Sequence, residues 1–460
     1  MKLNIAVPQA PENKINSFLV QKMKKSSILY FMNKTNVIIK GDICYSKTLK
    51  ELETVENGYL VCEDGTVQGV FAQIPEKYQS FPLKDYSGNL IIPGLIDLHT
   101  HAPQYAYRGL GMDMQLLDWL DTYTFPEESK YIHIDYANKS YNLFVNALKS
   151  GATTRALIFA TLHTPATLLL MEKLEQTGLI TMVGKVGMDR NCPDTLRQES
   201  AEAAYISTKS WIESSLKSFK NTKPIITPRF IPTCSDELMQ KFKHLQEIYS
   251  LAVQSHLSEN HGEIEWVKKL NPSANTYAHA YEQFGLFGGK NVKTVMAHCV
   301  WSEGEEEQLI FDNNVYVAHC PASNTHLASG IAPVRRFLEK GINVGLGSDI
   351  AGGPHLSIFR AISSAVEASK MYWRLIDQNS PPLTLNEAFY LATTCGGSFF
   401  SKVGKFEHGY ELDAIIVDDS KIPTTNPLKP EERLARVIYY SDDNHIIQKY
   451  VNGKEVFSIE

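Results

Sequence analysis

Between residues 94 and 348 the chain alternates short apolar runs with longer amphipathic ones, and this alternation limits the possible folds more than any other feature. The short runs occupy 94–98, 152–158, 180–186, 224–229, 251–257, 292–297, 314–318 and 342–347, and stretches such as 136–149, 165–176 and 200–217 lie between the first of them. A run too short for a helix, followed by apolar residues at helical spacing, reads as a strand leading into a helix. Eight such units predict an α/β fold of the closed (β/α)8 TIM-barrel type over 94–400, distorted by its uneven units. The flanks have another texture. Residues 28–85 and 409–456 carry alternating runs such as Asn36-Val37-Ile38-Ile39-Lys40, Gly58-Tyr59-Leu60-Val61-Cys62, Asp413-Ala414-Ile415-Ile416-Val417 and Ala435-Arg436-Val437-Ile438-Tyr439-Tyr440. These predict strands and hence a small β-sandwich-like domain formed by both chain ends, 27–93 and 401–460. The proline-rich stretch 423–430 reads as a linker or surface loop.

A length of 460 residues fits one large barrel with a small attached unit as well as three ordinary domains, so the pattern decides and the length does not. With 43% apolar and 21% charged residues the chain has material for a sizeable core. A formal charge of −6 supplies no basic field for a phosphate backbone, which argues against nucleic acid as a partner. The seven cysteines are scattered, odd in number and never in a C-x-x-C pair, as in reduced cytosolic thiols. Residues 1–26 contain no apolar run long enough for a signal-peptide core or a membrane span, so a cytoplasmic protein that does not enter membranes is expected.

The first barrel strand runs into Asp97-Leu98-His99-Thr100-His101, and strand alternation puts His99 and His101 on one face. A lone His-x-His pair is weak evidence, but three further segments repeat the theme. His256 lies in Gln254-Ser255-His256-Leu257-Ser258-Glu259-Asn260, His298 in Met296-Ala297-His298-Cys299 and Asp349 in Gly345-Leu346-Gly347-Ser348-Asp349. Each falls where a strand gives way to its loop, on the C-terminal face where such barrels assemble their sites. Three imidazoles and a carboxylate suit zinc or iron(II). A cation so held lowers the pKa of a bound water from about 15.7 toward roughly 7, and Glu259, if it is not a ligand, can take and return the proton. His163 and His355 read as structural, His319 and Cys320 as shaping the loop after the seventh strand, and 303–307 as a solvated helix start.

The run Ile92-Pro93-Gly94-Leu95-Ile96-Asp97-Leu98-His99-Thr100-His101 resembles the metal motif of the amidohydrolase superfamily, and most of the chain is similar to the guanine deaminase family within it. The segments that carry the narrower likeness include His101-Ala102-Pro103-Gln104-Tyr105, Tyr123-Thr124-Phe125-Pro126, Thr227-Pro228-Arg229-Phe230, His256-Leu257-Ser258-Glu259-Asn260 and Gly347-Ser348-Asp349-Ile350-Ala351-Gly352-Gly353. The resemblance implies His99, His101, His256 and Asp349 as metal ligands, with zinc as the metal and iron(II) as the alternative. It implies Glu259 as the proton shuttle, His298 near the leaving group, and Asp349 as an aid to the second proton transfer. Gln104, Arg229 and Phe230 would hold the purine base, with His101, His256, Glu259, His298 and Asp349 also touching it. The implied reaction takes guanine and water to xanthine and ammonia, and the implied assembly is a homodimer.

The residue chemistry agrees with those roles: a guanidinium donates to a carbonyl oxygen and a ring nitrogen together, an amide gives and accepts, and a ring covers a flat base. Competing readings are a barrel-rim ion pair for Arg229, a loop-ordering amide for Gln104 and plain core for Phe230. Some members of the superfamily bridge two metals with a modified lysine at the end of the fourth strand. Here that position is Arg229, and Lys185 belongs to the third strand, so one metal is expected. The rival functions are deamination or hydrolysis of cytosine, an adenosine derivative or a triazine, and a silent barrel kept for binding.

Overall fold

Strands from both ends of the chain meet in one seven-stranded sheet, ordered β17-β16-β15-β4-β1-β2-β3, in a computed structural model that describes residues 35–290, 292–441 and 443–459. The segment before residue 35, where no signal peptide or membrane span is expected, lies outside the described residues. The N-terminal strands are β1 (Val37–Ser46), β2 (Leu52–Glu63), β3 (Thr66–Phe71) and β4 (Leu83–Pro93). β4 pairs antiparallel with β15 (Ala414–Val417), through partners such as Pro93 with Ala414, and β16 (Ile446–Val451) and then β17 (Lys454–Ser458) extend the sheet beyond β15, each antiparallel to the strand before it. Alternate residues Val37, Ile39, Ile43, Leu60, Ile91 and Ile416 form its own apolar cluster, as period-2 patterning requires.

One expected strand is a helix. Ala435 to Tyr440 read as β because Val437, Ile438, Tyr439 and Tyr440 are β-branched or aromatic, yet Pro430–Tyr440 is helical. Its buried residues, Pro430, Leu434, Val437 and Ile438, recur at three- and four-residue spacing, and Pro430 is pre-set for the first turn. Tyr439 and Tyr440 are exposed, so the apolar appearance of the run did not reflect a buried strand. Burial overrode local propensity.

The middle of the chain forms the barrel expected from its eight units. Its strands are β5 (Leu95–His101), β6 (Thr153–Phe159), the broken third strand β7 (Ile180–Gly184) and β8 (Val186–Gly187), and the broken fourth strand β9 (Thr222–Pro224) and β10 (Thr227–Pro228). They continue as β11 (Val253–Leu257), β12 (Thr294–His298), β13 (Tyr316–His319) and β14 (Val344–Leu346). All pairings within the two four-stranded halves are parallel. The halves join where Gln254 N donates to Ile226 O at 2.9 Å, and the ring returns to its start where Asp349 N donates to His99 O at 2.8 Å and His101 N to Ile350 O at 3.2 Å. Helices such as Ile134–Ser150, Thr164–Thr177, Ala201–Ser218 and Asp236–Tyr249 pack outside, their apolar faces buried. Among the described residues no helix is long and apolar enough to cross a membrane.

A buried ion pair ties the sheet to the barrel. Arg155, in β6, donates from Nε and Nη2 to both carboxylate oxygens of Asp413 at 2.8 and 3.1 Å, and from Nη2 to Glu411 at 2.8 Å. Asp413 in turn accepts from Asn452 N, and its carbonyl accepts from Gly94 N at the junction of β4 and β5. A Cβ on Gly94 would lie 2.2 Å from Thr154, so only glycine lets the chain pass from sheet to barrel there. Arg155→Ala leaves Asp413 buried without its cation and is expected to cost about 3–5 kcal/mol of stability. Urea unfolding of that variant measures it, and a loss below about 1 kcal/mol, the range of an exposed pair, would contradict this account.

Candidate metal centre

His99 and His101 both point into the C-terminal mouth of the barrel, with their Nε2 atoms 3.1 Å apart. His256 brings its Nε2 to 3.3 Å from that of His101, and Asp349 Oδ1 lies 3.2 Å from His99 Nε2 and 3.4 Å from His101 Nε2. The ligand atoms fall into two overlapping triads, His99-His101-His256 and His99-His298-Asp349, each within 4.8 Å. Loss of hydration, followed by the neighbouring imidazoles, holds His101 and His256 well below the usual histidine range, which keeps their nitrogen lone pairs available. Unprotonated imidazoles facing nitrogen to nitrogen beside a carboxylate fit a divalent cation and have no comparable use without one.

The surroundings orient these donors. His256 Nδ1 lies 2.7 Å from Arg229 O, so it donates there and leaves Nε2 as the ligating atom. Phe159, at the end of β6, sets its ring 4.6–4.9 Å from those of His99, His101 and His256. Asp97 Oδ1 accepts from His99 N and Ser348 N, each at 3.1 Å, and Oδ2 accepts from Ser348 Oγ at 2.6 Å. This strap fastens the first strand to the loop carrying Asp349. Gly347 makes the approach possible, since a Cβ there would meet His99 Cβ at 2.9 Å. His298 and Asp349 have φ of +74° and +45°, strained values for non-glycine residues that recur at functional sites.

Glu259 lies beside the cluster. Its Oε2 is 3.3 Å from His298 Nε2 and its Oε1 accepts from Ser329 Oγ at 3.3 Å. Burial, and then the charge of Asp349, push its carboxyl well above the usual carboxylate range. His298 is fixed from behind by Asn324, whose Oδ1 is 2.9 Å from its Nδ1, and it stands 3.8 Å from Asp349 Oδ2. The reading of 303–307 as a solvated helix start needs correction. Glu306 is buried and accepts from Ser258 Oγ at 2.5 Å, Ser302 Oγ at 2.7 Å and Ala278 N at 3.0 Å, while Glu307 is buried against Arg336 and Lys340. Glu306 thus braces the turn immediately before Glu259.

Across the cavity stand the three residues expected to hold a base. Gln104 is buried, its Oε1 accepting from Ala351 N at 3.0 Å and its Nε2 donating to Glu128 Oε1 at 2.9 Å. Arg229 Nη1 donates to Glu128 Oε2 at 2.5 Å, and its guanidinium lies 5.3 Å from the Phe125 ring centroid. Phe230 meets Trp266 edge to face at 6.1 Å. Gln104, Arg229 and Phe230 line one partly open cavity with His101, His256, Glu259, His298 and Asp349, roofed by Leu116, Trp119 and Leu120, with about 420 Å³ of empty space including its open mouth. His99 lies behind this wall.

Sequence reasoning missed Glu128, Phe125, Phe159 and the roof. Glu128 follows directly on Tyr123-Thr124-Phe125-Pro126, but a carboxylate in a short helical turn carries no sign of burial in its sequence. Lys185 is buried, gives its Nζ to Ser207 and Thr208 on the helix Ala201–Ser218, and is brought down to about 7 by burial. His319 is buried beside the site, and Cys320 donates its Sγ proton to Ala318 O at 3.4 Å. His163 and His355 line other surface hollows.

Residues 90–456 match the model of the amidohydrolase family. A guanine deaminase of Dictyostelium discoideum is 36% identical over 92% of this chain and 99% of its own length, and the Homo sapiens guanine deaminase is 37% identical over 79% of this chain and 82% of its own. The structure of guanine deaminase from C. acetobutylicum with guanine bound in its active site superposes with a TM-score of 0.88 at 46% identity, covering 92% of this chain and 100% of that one. With its ligand cluster at the barrel mouth and these relatives along most of its length, the chain belongs to the amidohydrolase family and, within it, to the guanine deaminase branch.

Proposed function

We propose that this chain converts guanine and water to xanthine and ammonia, using one zinc ion held by His99, His101, His256 and Asp349. The observation that carries the reading is one partly open cavity lined together by His101, His256 and Asp349, by Gln104, Arg229 and Phe230, and by Glu259. Iron(II) suits the same donors. Bound there, the cation supplies a water whose pKa falls from about 15.7 toward roughly 7. Arg229 donates to O6 and N7 of the base, Gln104 meets the opposite edge and Phe230 covers a face. Glu259 takes the proton of the water that attacks C2 and delivers it to the adjacent ring nitrogen, a role its raised pKa suits. His298, 3.3 Å from Glu259 and 3.8 Å from Asp349, helps Asp349 pass a second proton to the departing amine. The apolar side chains of Leu116, Trp119 and Leu120 shield part of the cavity from bulk water, which strengthens the contacts beneath them.

Elemental analysis is expected to find one zinc per chain, and His256→Ala or Asp349→Ala to lose it. Two metals per chain, or none in active protein, would rule the metal assignment out. Glu259→Gln is expected to keep the metal and to lower kcat by roughly 10²–10⁴-fold, the usual contribution of a positioned acid–base group. Near-normal turnover in that variant would place the proton shuttle elsewhere. In an ammonia-release assay guanine should far outpace adenine, cytosine and guanosine. Arg229→Ala should keep the metal and lower kcat/KM for guanine by an amount equivalent to about 1.5–3 kcal/mol, a lost charged hydrogen bond. Faster release from cytosine or adenine than from guanine would defeat the substrate assignment and leave the metal hydrolase standing.

A further inference from the structure

Gln104 and Arg229 share a third residue that is itself neither in the ligand cluster nor among the residues lining the cavity. Glu128 is 2% exposed, and its two carboxylate oxygens are divided between them: Oε1 accepts from Gln104 Nε2 and Oε2 from Arg229 Nη1. We propose that Glu128 is the positioning residue that sets purine selectivity, fixing Arg229 so that the pocket accepts a 6-oxo base and rejects a 6-amino one, while holding Gln104 at the opposite edge. This rests on the function proposed above.

Three features carry it. The first is orientation. A guanidinium has five N–H donors, and the one given to Glu128 points away from the cavity, while the Phe125 ring lies 5.3 Å from the same group. Phe125 and Glu128 are three residues apart on one helical turn, Phe125–Ser129, so a single turn holds Arg229 by its edge and beside a ring. The remaining donors keep a constant direction. The second is the polarity of the amide. With an acceptor, Glu128, at Nε2 and a donor, Ala351 N, at Oε1, a flipped Gln104 would set donor against donor and acceptor against acceptor. The third is charge. Arg229 and Glu128 have side chains only 4% and 3% exposed, and together they are neutral, so a neutral base enters without an uncompensated buried cation beside it. The turn also continues without a break from Leu116–Trp119 and Leu120–Thr124, whose residues roof the cavity. The segment that encloses the base therefore also fixes the groups that recognise it.

A plain structural ion pair would lower activity on every substrate alike, so the test compares two substrates with the same leaving group. Guanine and 2,6-diaminopurine both carry the 2-amino group and differ at position 6. In Glu128→Gln the ratio of their kcat/KM values is expected to fall by about tenfold or more, part of the roughly 10⁴–10⁵-fold discrimination that a hydrogen-bonding site can reach, with the loss on guanine expressed mainly in KM. An unchanged ratio overturns the proposal. The second measurement removes the buried charge together with its partner and so does not depend on the single variant folding. Glu128→Gln added to Arg229→Gln should change kcat/KM for guanine by less than about threefold, because coupled residues are not additive. A further loss of about tenfold or more would show Glu128 acting apart from Arg229 and would overturn the proposal. A wild-type protein that releases no ammonia from guanine would instead overturn the proposed function itself, whereas an active wild type with an unchanged ratio removes only the role of Glu128.

Discussion

The approach of three imidazole nitrogens and a carboxylate to within 3.1–3.4 Å of their neighbours is the constraint around which the barrel mouth is built. Several imidazole nitrogens and a carboxylate oxygen converge there, a donor set that suits a divalent cation. Holding that arrangement needs the backbone to deliver side chains from the first, fifth and eighth strands to one point, with His298 of the sixth 3.8 Å from Asp349. The strained φ values at His298 and Asp349 reflect this, at a cost of roughly 1–3 kcal/mol each. The Asp97 strap and the close passage at Gly347 hold the first and eighth strands against that strain.

Buried charge is managed by the same means throughout the molecule. Arg155 is neutralised by Asp413 and Glu411 where the sheet meets the barrel, Glu306 is satisfied by two hydroxyls and a backbone N–H behind Glu259, and Arg229 is met by Glu128 at the cavity. Arg155, Glu306 and Glu128 each have hydrogen-bonded partners on more than one element, so each also fixes how those elements sit. The buried carboxylate Glu259 has the sparser shell, one hydroxyl and the edge of His298, and burial followed by the charge of Asp349 raises its proton affinity.

Most of the architecture was legible because it follows from local pattern. The eight strand positions and the outer helices carry unambiguous periodicity, and the ligand candidates announce themselves by standing at strand ends. The misreadings share one cause. Val437 and Ile438 favour a strand intrinsically, and only the spacing of what they bury, together with Pro430, makes the segment a helix. Glu306 looks like any residue in an acidic run until Ser258, Ser302 and Ala278 close around it.

The sequence by itself determined the barrel, the identity of the donors and their order along the chain, because alternation and helical spacing are properties of neighbouring residues. Only the tertiary structure decided which groups share a hydrogen bond across large separations: Glu128 with Arg229, 101 residues apart, Ser348 with Asp97, 251 apart, and Arg155 with Asp413, 258 apart. Such pairings depend on where the closed ring of strands brings the chain back upon itself, and no local periodicity encodes that distance.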